Sequence, residues 1–163
     1  TEIYTLSLHD ALPIYGVVVV DGWETAYYTN FLASSGQGPQ PMVVSYASSP
    51  AAEVFFASEP LTESPTASIV ASGMCFRQIE FVGILKNGQN RDLAEKFVDF
   101  MLGKQFQEDM PLNMFVYPVN QTAQLPDVFT QYAQVASQPA IITYNEIASN
   151  RDSWIEAWTE MMK

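Results

Sequence analysis

Histidine and cysteine are almost missing from this chain of 163 residues, which has one of each, His9 and Cys75. A single cysteine excludes an internal disulfide and any multi-cysteine metal site. Within GMCFRQIEF it reads as a small buried apolar residue of an extended segment. His9 falls in an N-terminal stretch set apart below, so residues 15–163 hold no histidine for a triad, a proton shuttle or an imidazole metal site. Basic residues are scarce as well: seven Lys and Arg stand against eighteen Asp and Glu, a formal net charge of -11. Phosphate backbones need a basic face, so nucleic acid is excluded as a partner. No apolar run reaches the ~18 residues that suggest a membrane span. Gly-rich phosphate loops, GxSxG and metal-ligand spacings are also lacking. Paired acids such as Glu108-Asp109 read as solvated charges on a helix face rather than an acid/base couple, so no enzyme is expected.

What is present is ample apolar material, 48% of the chain, with 13% aromatic, enough for a packed core in a chain of one-domain length. Residues 1–14 stand out. They show neither the charged and apolar regions of a secretion signal nor a clean period of 2 or 3.6. Back-translated in one frame, they resemble a widely used sequencing adapter. The expectation is a non-native segment over residues 1–14, with residues 15–163 as the natural part and its true beginning further upstream.

Residues 17–20, four valines, predict a strand buried on both faces, as in a parallel sheet. Asp21-Gly22 ends it, and residues 23–34 predict a helix closed by Ser34-Ser35-Gly36. After a Gly/Pro/Gln loop, residues 42–46 predict a second buried strand, followed by a turn, Ala47 to Pro50, that opens a helix at Ala51. Residues 58–68 read as a surface loop, and residues 74–85 as an extended strand turning at Lys86-Asn87-Gly88. The clearest helix follows. Asn90 caps it, Leu93, Ala94, Phe97, Val98 and Met101 recur at spacings of three and four, Asp92 and Lys96 pair, and Gly103 stops it. A shorter helix over 104–109 is expected to stop before Pro111, with residues 114–117 extended before Pro118. One helical turn is expected over 127–132. A last helix from about Asn145 carries Ile147, Trp154, Ile155, Trp158 and Met161 on one stripe.

Three groups of aromatics stand beside turns or at strand ends: Trp23 after Asp21-Gly22, Tyr46 before Ala47-Ser48-Ser49-Pro50, and Phe115 with Tyr117 before Pro118. Singly they are ordinary core and rim residues. As a set they offer negative ring faces to a flat, positively charged heteroaromatic. A strand ending in hydroxyls before a turn is where open α/β sheets place ligands. This adds Ser45, Ser48 and Ser49, whose hydroxyls would hydrogen-bond a ligand or cap the following helix.

The succession GWETAYYTNFL, MVVSYASSPA, RQIEFVGILKNGQNRDLAEKFVDFMLGKQFQEDMP, NMFVYPVN and SWIEAW resembles the C-terminal half of the thiamine-binding proteins of bacterial ABC importers. The match runs in order from about Val17 to Met162. The resemblance implies an α/β fold of the type II periplasmic binding protein kind, truncated to its C-terminal portion. It also implies capture of thiamine or its phosphates outside the inner membrane, delivery to a permease subunit, a monomer at full length, and neither cofactor nor catalysis. Carried over residue by residue, Trp23, Tyr46 and Phe115 line the thiamine site. Phe115 stands where relatives often have Trp, and Ala52 where they can have Tyr, two departures that thin the aromatic cage. Another organic cation such as a polyamine is the alternative ligand. Ferric iron is a further one, through a tyrosine pair; here Tyr27-Tyr28 is placed mid-helix, where neighbours point about 100° apart.

Overall fold

The computed structural model describes residues 16–32 and 37–162. The stretch over residues 1–14, with His9, and the helix stop at residues 34–36 lie outside them. Among the described residues the helices in chain order are α1, Trp23–Thr25, which runs into a π-helical turn, Ala26–Asn30; α2, Ser49–Phe55; α3, Arg91–Leu102; α4, Lys104–Met114; α5, Asp127–Tyr132; and α6, Tyr144–Met161. The chain divides into two units, Thr1–Val44 with Ile141–Lys163, and Ser45–Ala140.

In the first unit the helix expected over 23–34 breaks at Phe31, whose backbone is extended at φ -76°, ψ 127°. The wide turn is closed by the Phe31 N–H donating to the Ala26 carbonyl at 3.0 Å. What replaces the helical bonds is a parallel bridge between Phe31 and Gln40. The Leu32 N–H donates to the Gln40 carbonyl at 2.8 Å and the Gln40 N–H to that of Asn30 at 2.9 Å. Spacing of four residues then stacks Trp23 on Tyr27, centroids 4.8 Å apart, and Tyr27 against Phe31 at 5.6 Å. Tyr27 and Phe31 form this unit's buried core among the described residues. Gly38 lies flush against the turn, where a Cβ would run into the carbonyls of Asn30 and Thr29.

Helix α6 begins one residue earlier than expected, with Thr143 as its N-cap. Thr143 and Glu146 form a capping box: the Thr143 hydroxyl accepts the Glu146 N–H at 3.2 Å, and the Glu146 carboxylate accepts the Thr143 N–H at 2.9 Å. On the expected stripe, Ile147 and Met161 are half-buried while Trp154, Ile155 and Trp158 remain exposed.

In the second unit α2 packs on α5, and α3 on α4 through the tight connection at Gly103. The α3 bounds match the 3.6-residue pattern. Its exposed ion pair is Arg91–Glu95 at 2.7 Å, not Asp92–Lys96, and the Asn90 side chain makes no cap bond. Helix α4 does not stop before Pro111 but continues to Met114. An interior proline forfeits a hydrogen bond and crowds the preceding turn, at about 3 kcal/mol. The Pro111 ring is fully buried here, and its packing offsets that loss. Helix α5 covers the expected residues and contributes Phe129, 1% exposed, to the core.

The expected strands are the main correction. Residues 17–20, 42–46 and 74–85 form no ladder among the described residues, where pairing is confined to two isolated parallel bridges, Phe31 with Gln40 and Phe76 with Ala140. Val17, Val18 and Val19 are about half exposed, and Val44 is 94% exposed. A run of β-branched side chains sets a preference, but a strand exists only where a second backbone takes up its N–H and C=O groups. Residues 114–117 differ for another reason, since Met114 belongs to α4 and Phe115 turns the chain with a left-handed backbone.

Candidate functional site

Phe115 closes α4 at φ 54°, ψ 33°. A left-handed residue after a helix is usually glycine, because a Cβ there costs about 1–2 kcal/mol. Phe115 is the one non-glycine residue with positive φ among the described residues. Its ring is held from several sides. It stacks on Phe129 at 6.1 Å with planes 27° apart, and contacts Phe56 at 5.3 Å and Phe55 at 6.0 Å. Tyr117 meets the same Phe129 edge-on at 5.5 Å. Burial pushes the Tyr117 phenol above its ordinary pKa, which keeps it a neutral hydrogen-bonding group.

Gln107, a buried polar residue of α4, fastens the segment beyond. Its side-chain oxygen accepts the N–H groups of Val119 at 2.7 Å and Asn120 at 3.4 Å, while its amide donates to the Met101 carbonyl at 2.8 Å. Asn120 donates in turn to the Leu102 carbonyl at 2.9 Å. The rings of Phe115 and Tyr117 are therefore carried on backbone fixed at both ends.

The turn carrying Tyr46 is tied to the segment just past α5 and to Ser68. The Ala47 carbonyl accepts the N–H of Gln134, just past α5, at 3.2 Å and the Ser68 hydroxyl at 3.1 Å. The Ser49 N–H donates to the Tyr46 carbonyl at 3.0 Å. The Ser45 and Ser49 hydroxyls lie 2.8 Å apart and bond to each other. Ser48 is the N-cap of α2, yet no side-chain cap bond forms there. Helix capping is therefore not how the Ser48 hydroxyl is used. Tyr46 is 60% exposed. On α2, Glu53 brings a carboxylate with one buried oxygen that has no hydrogen-bond partner among the described residues.

Of the residues singled out from sequence, Tyr46, Phe115, Tyr117, Ser45, Ser48 and Ser49 fall in the second unit, and Phe115 and Tyr117 meet over one ring, Phe129. Trp23 falls in the first unit and stacks on Tyr27. Tyr27 is buried while Tyr28 is 59% exposed, with their rings near perpendicular at 79°. Among the described residues no three His, Cys, Asp or Glu side chains gather as metal ligands. A concavity of about 410 Å³ lies at the start of α3, lined by residues from Gln89 to Lys96. It has no aromatic ring and offers no stacking surface, so the rings around Phe115 make the better candidate.

Sequence reasoning passed over Phe55, Phe56, Phe129 and Gln107. The doublet Phe55-Phe56 at a helix end was the available signal for the first two. Phe129 stood beside Val128 in a single helical turn too short to show a buried face, and Gln107 looked like any solvated glutamine on a helix.

A family model described as "Bacterial extracellular solute-binding protein" matches residues 54–150. The thiamine-binding periplasmic protein of Salmonella typhimurium is 32% identical over 142 residues, covering 87% of this chain and 40% of the relative. Its counterpart in Brucella suis is 31% identical over 143 residues, with the same shares. That of Escherichia coli K12 is 30% identical over 142 residues. The chain thus spans about 40% of the length of the curated relatives it matches. No solved structure matches it.

Proposed function

This chain belongs to the bacterial extracellular solute-binding proteins, and from that premise we propose that it serves as the substrate-binding component of an ABC importer, capturing thiamine or its phosphates for a membrane permease. One observation carries the reading: relatives named thiamine-binding periplasmic proteins align with 87% of the chain. The same names support a periplasmic location, and among the described residues no helix is long and apolar enough to cross a membrane.

The protein works as a two-lobed α/β receptor of the type II kind, monomeric and non-catalytic, with this chain as part of it. The ligand is flat and cationic. Ring faces at Tyr46 and Phe115 stack on it, and Tyr117 with the hydroxyls of Ser45, Ser48 and Ser49 hydrogen-bonds its polar edges. The strained backbone at Phe115 supports this assignment. A residue held in a sparsely populated conformation by its surroundings is a recurrent mark of ligand sites. Hinge closure between lobes then presents the loaded form to the permease.

Calorimetric titration of the longest reading frame carrying this chain, with thiamine, thiamine phosphate and spermidine, tests the reading. Saturable 1:1 binding of thiamine with spermidine as a poor competitor is expected. Preference for spermidine transfers the site to polyamines, the reading that the acidic balance of the chain favours next.

A further inference from the structure

The geometry points to Phe56 as a ligand-contacting residue that sets specificity for a flat organic cation; this rests on the proposed function and adds a ring that the sequence motifs did not include. Phe56 is 71% exposed, and its neighbour Phe55 is 45% exposed. One exposed phenylalanine means little. Here three rings adjoin, with Phe55 to Phe56 at 5.1 Å, Phe55 to Phe115 at 6.0 Å and Phe56 to Phe115 at 5.3 Å. Phe55 and Phe56, water-facing rings that touch each other and the half-buried Phe115, form a contiguous apolar patch of the sort that binds something.

The backbone that carries the patch is also anchored. The Phe56 N–H donates to the Ala52 carbonyl at 2.9 Å, which fixes Phe56 at the last turn of α2. Phe115 is clamped from below by Phe129, which is 1% exposed, and by the left-handed turn at the end of α4. Helix α2 packs on α5, which carries Phe129, so two of the three rings stand on one helix and the third on its neighbour's ring. The Phe56 and Phe115 planes meet at 47° and those of Phe55 and Phe56 at 67°. Tilted pairing is a preferred arrangement of aromatic rings, and at 71% exposure the Phe56 ring stays accessible to a ligand.

The occupant follows from the chemistry. A ring face attracts a delocalised cation through its quadrupole and, with two χ angles, loses little conformational freedom on binding. A negatively charged chain raises the local concentration of such a ligand. An anion or a neutral sugar gains neither term. Phe56 therefore discriminates by ring face, not by bulk.

The test is titration of the longest reading frame with thiamine, for wild type and for Phe56→Ala, Phe56→Leu and Phe56→Tyr. Both Phe56→Ala and Phe56→Leu are expected to weaken binding about five- to tenfold, a loss of the size a desolvated cation over a ring gives, while Phe56→Tyr stays within about twofold. Circular dichroism melts confirm folding, and if Phe56→Ala does not fold, the Leu and Tyr variants decide. Wild-type affinity in Phe56→Leu overturns the assignment and leaves thiamine binding standing. Absence of saturable binding by wild type overturns both.

Discussion

The side-chain oxygen of Gln107 accepts the backbone N–H of Val119 at 2.7 Å, tying the middle of α4 to the segment that follows Tyr117. The same side chain reaches the Met101 carbonyl at 2.8 Å, near the end of α3. A single buried amide thus joins three stretches of backbone, and the turn at Phe115 lies between two of them.

Replacing Gln107 by Leu keeps the bulk but strands the Val119 N–H and the Met101 carbonyl. The expected cost is about 2 kcal/mol, the penalty for unpaired buried polar groups. Urea unfolding should show a lower midpoint at an unchanged slope. An unchanged midpoint removes Gln107 from this role.

Phe115 couples ring placement to a strained backbone. Phe115→Trp keeps the placement and enlarges the ring face. Thiamine affinity is expected to rise about threefold, the difference between a modest and a good cation partner. Phe115→Gly relieves the backbone but deletes the ring, so binding should weaken even where the melting temperature holds. Equal affinity in all three proteins by calorimetry rules the residue out of the site.

Two groups bracket the pH range. Hydrogen bonds from the Thr143 side chain and backbone lower the Glu146 pKa from its ordinary 4.5. The group's contribution is therefore present above pH 4.5 and lost as pH falls through the lowered folded value. Burial raises the Tyr117 pKa from 10.0, so its contribution is present below pH 10.0 and lost as pH rises through the folded value. Melting temperatures across pH should show both limbs, the acid one reduced by Thr143→Ala and the alkaline one by Tyr117→Phe. Loss of α6 helicity by circular dichroism accompanies Thr143→Ala.

Gly38 is buried under the carbonyls of Asn30 and Thr29, with no room for a methyl group. Gly38→Ala is expected to cost about 1–3 kcal/mol, the range for overpacking. Gly22→Ala is the control, since nothing lies within 4 Å of a Cβ there. Thermal melts that rank the two variants equally refute the close fit.

Phe81 and Leu85 are 83% and 82% exposed on a segment without strand partners among the described residues. Unpaired backbone beside large apolar side chains invites association. Sedimentation velocity of the 163-residue chain should show concentration-dependent self-association, reduced in a Phe81→Lys, Leu85→Lys double variant.

The sequence by itself determined the elements whose causes are local. Helix α3 follows from a 3.6-residue apolar pattern stopped by Gly103, and the single turn of α5 was placed on residues 127–132. The start of α6 also has a local cause, since Thr143 and Glu146 have the spacing of a capping box, though the expected start near Asn145 passed over it. The dearth of His, Cys and base limited the chemistry in the same direct way. Tertiary structure alone decided the rest. Phe31 left the helix because Gln40 offered backbone partners from outside it, and α4 ran through Pro111 because a core was there to take the ring. Phe115 adopted a backbone unfavourable to its type because Phe129, Phe55 and Phe56 held its side chain. The valine runs stayed unladdered for the converse reason: no second strand met them among the described residues. Periodicity reports which way side chains would face, and pairing between distant segments is a property no local window contains.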